Sequence, residues 1–427
     1  MNIHLAYGRT GLDVDLPDGR TTVIEPSHVD GLADERTAFM DALANPIAAE
    51  PLTRMVRPTD RICIVHSDIT RATPNERIIP WLLDALDQAG AKRENITLLN
   101  GLGTHRPQTR EELEKMLTQQ VVANYRTINH EPVNPAALVK VGTTKRGVDV
   151  LLNRHLVEAD MRIITGFIEP HFFAGFSGGP KGVMPGVAAQ ETVLRNHDAS
   201  MIGHPNATWG VTFGNPLWEE MLESAQMVNQ RLFLINVALN HKAQMTRVFA
   251  GDLVKAHQAG CAFVKQTAMQ TVDEPFEVVV TTNSGYPLDQ NLYQAVKGIS
   301  AAARIVKKGG SIIVASECSD PKARSGPSFE LLEKRKSTDE LLDLINTPGF
   351  RYPEQWQVQL QALIQKKASV FVYSSLPPEF VRRAHLIPCA DIASTVRDLL
   401  SRYPDTGKGP RVAAIPQGPL TIPTLAA

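Results

Sequence analysis

The sequence predicts an α/β protein of two domains. Three observations carry this. At 427 residues the chain exceeds what a single core usually supports. The order strand, polar loop, helix occurs twice within forty-five residues, starting at Arg61. A second unit of the same kind opens after Pro275. Alternation of this type gives mainly parallel sheets covered by helices.

The composition narrows the function. Hydrophobic residues make up 43%, enough for large cores. With 44 basic and 45 acidic residues, the net charge of −1 offers no footprint for nucleic acid or an anionic membrane. No apolar run approaches the ~18 residues that span a bilayer. The N-terminus shows no basic segment followed by an apolar core, so no signal peptide is expected. Cys63, Cys261, Cys318 and Cys389 are scattered and form no CxxC pair. Neither a zinc-thiolate site nor a disulfide framework follows, and a reducing cytoplasmic setting is expected.

In chain order, strands are expected at Asn2–Tyr7 and Thr21–Glu25, and a helix over Ala33–Ala44. Arg61–Val65 is a short apolar run of the buried-strand type. After Pro74, apolar residues at 78, 79, 82, 83 and 86 give helical spacing, closed by Gly90. Ile96–Leu99 reads as the next strand, and Thr109 with Glu112 has the spacing of a capping box. Met161–Thr165 is another buried strand. A helix over Asn215–Met227, a strand over Leu232–Leu239 and a helix over His257–Gln270 complete a first domain of residues 1–272. The second, 273–409, opens with Phe276–Thr282 and continues with a helix bearing Gln294 and Lys297, then strands at Ser311–Ala315 and Val370–Tyr373. The tail, 410–427, is expected to pack on the first domain, its irregular proline-containing part Pro416–Ala427 being either disordered or laid back on that domain.

Chemistry in a parallel sheet gathers in the loops at the carboxyl ends of its strands. Asp68 and Arg71 follow the first buried strand, His105 the second, and His171 the third. The loop from Gly166 carries glycines at 175, 178, 179, 182 and 186 and prolines at 180 and 185. It cannot be regular helix or strand throughout, and it allows close backbone approach to a ligand. Lys181 lies inside this glycine cluster, and His197 follows eleven residues after Gly186. The cluster is not a Walker A loop, because Pro180 precedes the lysine and Gly182 follows it. The amides of Gly178 and Gly179 remain candidates for cradling a phosphate. Gly101-x-Gly103-x-x-Arg106 lacks the third glycine of a dinucleotide fingerprint, and no HExxH motif is present. Imidazole suits general acid–base work near neutrality, which marks His105 and His171. His66, His130, His155, His204, His241, His257 and His385 are read as structural. Gln294 and Lys297 share a helical face after a strand-end loop, a placement suited to anion binding.

Together the blocks Asp68-Ile-Thr-Arg71-x-x-Pro, Gly103-Thr-His105-Arg106, Glu169-Pro-His171-Phe-Phe-Ala-Gly-Phe-Ser-Gly-Gly-x-Lys181, His197 and Tyr286-Pro-Leu-Asp-Gln-Asn-x-Tyr-Gln294-Ala-Val-Lys297 resemble the nickel-pincer nucleotide-dependent lactate racemase family. The blocks run in order from about residue 60 to 310. The resemblance implies two Rossmann-like α/β domains with mainly parallel sheets and the active site in the interdomain cleft. It implies a nickel-pincer nucleotide, a pyridinium bisthiocarboxylic acid mononucleotide that grips nickel through carbon and sulfur. Lys181 would match the lysine able to bind it covalently, and Pro180 and Gly182 fit either covalent or non-covalent attachment. His197 would match the protein's nickel ligand; imidazole suits nickel, and square-planar geometry suits Ni(II). His105 and His171 would be the acid–base pair. Asp68, Arg71, Gln294 and Lys297 would line the cofactor and substrate pocket, with Arg71 and Lys297 on the substrate carboxylate.

The activity this implies is racemisation or epimerisation at C2 of a 2-hydroxy acid by reversible hydride transfer. The partners are then a small-molecule substrate and the proteins that make the cofactor. Lactate, malate, an aromatic hydroxy acid and a sugar acid all satisfy the motifs. Two rival readings use the same residues differently. One is a metal-dependent hydrolase built on the histidines; the other is a non-catalytic phosphate- or nucleotide-binding protein built on the glycine cluster.

Overall fold

In the computed structural model, the structure describes residues 1–320, 326–404 and 409–426. Two six-stranded sheets dominate. The first runs Met245–Gly251, Leu232–Leu239, Met161–Phe167, Ile62–Ser67, Ile96–Gly101, Arg126–Asn129 across the sheet. All its pairings are parallel except that of the edge strand Met245–Gly251. The second runs Ile387–Pro388, Ser369–Tyr373, Val306–Ala315, Phe276–Thr282, Val412–Ile415, Thr21–Val23, and every pairing is parallel.

The inner strands are apolar on both faces because helices cover both. Met161–Phe167 and Phe276–Thr282 are buried at all seven positions. The helix Asn75–Gln88 buries Ile78, Ile79, Leu82, Leu83 and Leu86, the residues picked out by their spacing. Thr109 and Glu112 close both arms of the capping box ahead of Arg110–Leu117. Among the described residues, no helix is long and apolar enough to cross a membrane.

Sheet pairing runs across the expected division at 272/273 at both chain ends. Thr21–Val23 joins the second sheet through Val412–Ile415 rather than staying with the first. Val412–Ile415 is an interior strand of the second sheet, between Phe276–Thr282 and Thr21–Val23. The start of the 410–427 tail thus joins the second sheet instead of packing on the first domain. Its apolar run Val-Ala-Ala-Ile is buried at all four positions, which an interior parallel strand requires. Further on, Gly418–Leu420 lies against Pro170–His171 and Ile422–Leu425 pairs with Met269–Val272, so this part reaches back to the first half of the chain. Ala427 lies outside the described residues.

Strand order places the site. In the first sheet the chain moves outward from Ile62–Ser67 to Arg126–Asn129, then returns to Met161–Phe167 on the other side. The crevice at such a reversal, beyond the carboxyl ends, is where open α/β sheets bind ligands. Asp68, Arg71, Glu169 and His171 all lie there. The largest core cluster also takes in Ala301, Trp356 and Ile422 from the second half of the chain.

Candidate active site

One pocket collects nearly all the residues singled out in the sequence. Asp68, Arg71, His105, His171, Gly178, Lys181, His197, Gln294 and Lys297 line it. The first half supplies the strand-end loops; the helix Leu292–Ala303 supplies Gln294 and Lys297. Asn291 caps that helix by accepting from the Gln294 N–H at 3.0 Å, which fixes its first turn against the pocket.

His105 sits in the turn after Ile96–Gly101, where its N–H donates to the Leu102 carbonyl. Its Nδ1 lies 2.7 Å from Asp68 Oδ2. Asp68 also accepts from the Thr70 hydroxyl at 2.8 Å. Burial by itself would raise the Asp68 carboxyl, but the charge and hydrogen bond of His105, with Arg71, outweigh it and hold it below its ordinary value. An ionised carboxylate on Nδ1 makes that nitrogen the donor and leaves Nε2 as the basic atom.

His171 is held differently. It lies in a two-residue strand, Pro170–His171, paired with Gly175–Phe176. Its Nδ1 accepts from the Ala174 N–H at 3.3 Å. Phe172 stacks beside the ring at a centroid distance of 5.0 Å, and Phe173 meets it edge-on at 4.5 Å. Burial, with the charges of Lys181, Lys297 and Arg71, drives the ring far below its ordinary value, so it is neutral. With Nδ1 accepting, its proton is on Nε2.

Lys181 rises from the short 3-10 turn Gly179–Gly182. Burial, followed by Arg71 and Lys297, lowers its ammonium to about 7. Lys297 falls to about 8 for the same first cause and Arg71. His197 ends the helix Gln190–Asn196, packed between Phe173 at 5.2 Å and Trp356 at 4.8 Å. Burial and Lys181 hold it neutral, down to about 3. Its Nδ1 is buried and makes no hydrogen bond. Among the described residues, no three His, Cys, Asp or Glu side chains group as a metal cage. A metal at His197 would thus need its other ligands from a bound group.

The glycine loop differs from the expected cradle in one respect. Gly178 lines the pocket, but Gly179 does not. The Gly179 N–H already donates to Asn236 Oδ1 at 2.8 Å, so it is not free for a phosphate. A Cβ on Gly179 would meet the His257 ring at 2.5 Å, and one on Gly178 would meet Asn236 Oδ1 at 2.5 Å. Here the glycines chiefly let the loop press against Leu232–Leu239 and Lys255–Ala268.

Trp356, Gln357 and His66 also line the pocket and were not among the residues chosen from sequence. His66 lies within the buried strand Ile62–Ser67, a polar ring in an apolar run; Trp356 and Gln357 lie in a glutamine-rich helix with no motif. Buried atoms without hydrogen bonds include His66 Nε2, His197 Nδ1, Gln294 Oε1 and Gln357 Oε1, all on lining residues. Buried polar atoms are costly unless something pairs them, so a polar ligand suits this pocket.

Fold and site together define an α/β enzyme whose pocket sets paired histidines beside buried cations. Residues 7–210 match the lactate racemase N-terminal domain, and residues 271–422 the lactate racemase C-terminal domain. Lactate racemase of Thermoanaerobacterium thermosaccharolyticum is 34% identical over 403 residues, covering 93% of each chain. Lactate racemase of Lactiplantibacillus plantarum is 33% identical over 424 residues, covering 97% of this chain and 98% of its own. The lactate racemase apoprotein structure from T. thermosaccharolyticum superposes with a TM-score of 0.91 at 32% identity, covering 99% of this chain and all of that one. A Thermotoga maritima protein shares the fold, with a TM-score of 0.70 at 21% identity over 93% of this chain. The chain belongs to the lactate racemase family and is an isomerase.

Proposed function

We propose that this protein racemises or epimerises a 2-hydroxy acid at C2, with lactate as the first candidate, using a nickel-pincer nucleotide. The observation that carries this is the pair of histidines in opposite states in one pocket. His105, with Asp68 on Nδ1, presents a basic Nε2. His171, with Nδ1 accepting from Ala174, presents an Nε2–H. Inversion passes through a planar 2-keto acid, and the hydroxyl proton must leave on one side and return on the other. In one direction neutral His105 takes the hydroxyl proton on Nε2 and His171, as the imidazolium, returns one; in the other the roles exchange, His171 giving up its 3.3 Å Ala174 contact when Nδ1 carries a proton. Arg71 and Lys297 hold the carboxylate, and Gln294, whose Oε1 lacks a partner, orients the hydroxyl.

The pocket fits the cofactor. His197 offers a neutral imidazole with an unused nitrogen, the form that ligates nickel. Lys181, partly uncharged near pH 7, would hold the nucleotide, with Asp68, Arg71 and Gly178 around it. When bound, the group supplies reversible hydride acceptance at C2. Phe172, Phe173 and Trp356 exclude water from the reacting carbon. Activation then requires the proteins that make the cofactor. The four cysteines are free and buried, which suits work in the cytoplasm.

The test is a chiral assay of D- and L-lactate, malate, phenyllactate and a sugar acid on protein made with the cofactor pathway present. Nickel is assayed in parallel. Racemisation of at least one acid, with nickel retained by the wild type and lost in His197→Ala, is expected. Tight ligand binding without turnover of any acid, or full activity without nickel, would overturn the reading.

A further inference from the structure

Glu169 stands two residues before His171 and has no part in the chemistry above. Its backbone is clamped. Its N–H donates to the Ser177 hydroxyl at 2.9 Å, and its carbonyl accepts from the Ser177 N–H at 2.9 Å. That hydroxyl donates in turn to the Phe167 carbonyl at 2.9 Å. The side chain thus starts from a fixed point and is only 14% exposed. Its Oε1 lies 3.8 Å from Arg71 Nη1. The same residue shares a small cavity with Lys297, walled by His171, Phe172, Trp209 and Leu288. One carboxylate therefore stands near both cations assigned to the substrate carboxylate.

The distance decides what Glu169 can do. At 3.8 Å the contact is too long for a hydrogen bond, so the guanidinium N–H groups are not consumed. It is short enough for Coulombic attraction, which is several-fold stronger near a protein surface than in water. The groups facing Lys297 are the cations Arg71 and Lys181, neutral His171, and the carboxylates Glu169 and Asp68. Asp68 is already engaged by His105 and Thr70. Glu169 is the carboxylate left to offset the crowded cations.

We propose that Glu169 is a positioning residue for substrate: its carboxylate tethers Arg71 and keeps Lys297 protonated, maintaining a two-cation seat for a 2-hydroxy monocarboxylate. This rests on the pocket being the 2-hydroxy acid site.

The test is calorimetric titration of L-lactate into full-length holoprotein across about pH 6 to 9, for wild type, Glu169→Gln and Glu169→Asp, with the chiral assay run beside it. Wild-type affinity should fall as Lys297 loses its proton, near its value of about 8. In Glu169→Gln the fall should move about one pH unit lower, giving ~5-fold weaker binding at about pH 8 and nearly ~10-fold at about pH 9, but under ~3-fold at about pH 6. Glu169→Asp restores the charge and should return the profile toward wild type. Superimposable profiles, an equal loss at every pH that Glu169→Asp does not repair, or no lactate binding at all would overturn the proposal. A shifted binding profile without racemisation would support Glu169 and sink the racemase reading. Racemisation with an unshifted profile would do the reverse.

Discussion

His105 and His171 are held by opposite kinds of partner, and the difference is measurable. An ionised Asp68 orients His105; a backbone N–H and two phenylalanine rings orient His171. His105→Ala and His171→Ala should each lower racemisation by ~10²–10⁴. In single turnovers with one pure enantiomer, each variant should be more impaired with one hand, and the preference should reverse between them. Equal loss with both hands in both variants would leave only a shared positioning role. Lys181 makes a second prediction, about stability. Its ammonium drops from 10.5 to about 7 on folding, mainly through burial. Between those values the unfolded chain binds more protons, so this group's contribution to stability rises with pH there and its cost is full below about 7. Cofactor-free Lys181→Met should therefore melt above wild type, with the gap widest near about pH 6 and closing by about pH 10. A gap independent of pH would assign the effect to packing.

The loop holding Lys181 works as a packed element. Gly179 has φ +55, and its missing Cβ leaves room for His257. His257 is itself fixed by donating Nε2–H to the Ser177 carbonyl at 2.9 Å. Gly179→Ala should cost about 2–4 kcal/mol in denaturant unfolding, from backbone strain and overpacking. Gly179→Ala with His257→Ala should recover the packing part, measured as non-additivity in a double-mutant cycle. Strict additivity would show that the ring is not what the glycine accommodates. This loop also shows what was legible in advance. Lys181 and His171 were visible because glycine density and a preceding β-branched run are local signals. That Gly179 faces His257 was not, since 78 residues separate them in sequence and no pattern links them. Trp356 against His197 was hidden likewise: the helix Gln355–Gln365 alternates glutamines with apolar residues and carries no motif. Four of its five glutamines prove buried, and two of them donate to distant carbonyls, Gln359 to Ala199 and Gln361 to Ala384, both at 2.8 Å.

At the scale of the whole molecule, both chain ends enter the second sheet. Thr21–Val23 and Val412–Ile415 pair across almost the full length of the chain, a contact no local pattern announces. Val412–Ile415 fills the place beside Phe276–Thr282, whose seven residues are all buried. Ending the chain after Pro410 would strip that strand and strand Thr21–Val23, leaving a long apolar edge open to water and to other chains. Such a protein should be insoluble or lack a cooperative melt. Ending it after Leu420 is a different operation. Both six-stranded sheets stay complete, and what goes is the ladder between Met269–Val272 and Ile422–Leu425. The buried Ile422 side chain is also lost, as is the Pro423 carbonyl that accepts from Arg304 Nε at 2.8 Å. A lost core aliphatic and an unpaired donor together cost about 3–5 kcal/mol. This shorter truncation should therefore fold, melt cooperatively, and do so several degrees below wild type. Circular dichroism melts of the two truncations make the comparison. A cooperative melt for the chain ending at Pro410 would mean that Val412–Ile415 is an accessory to the second sheet, not one of its structural strands.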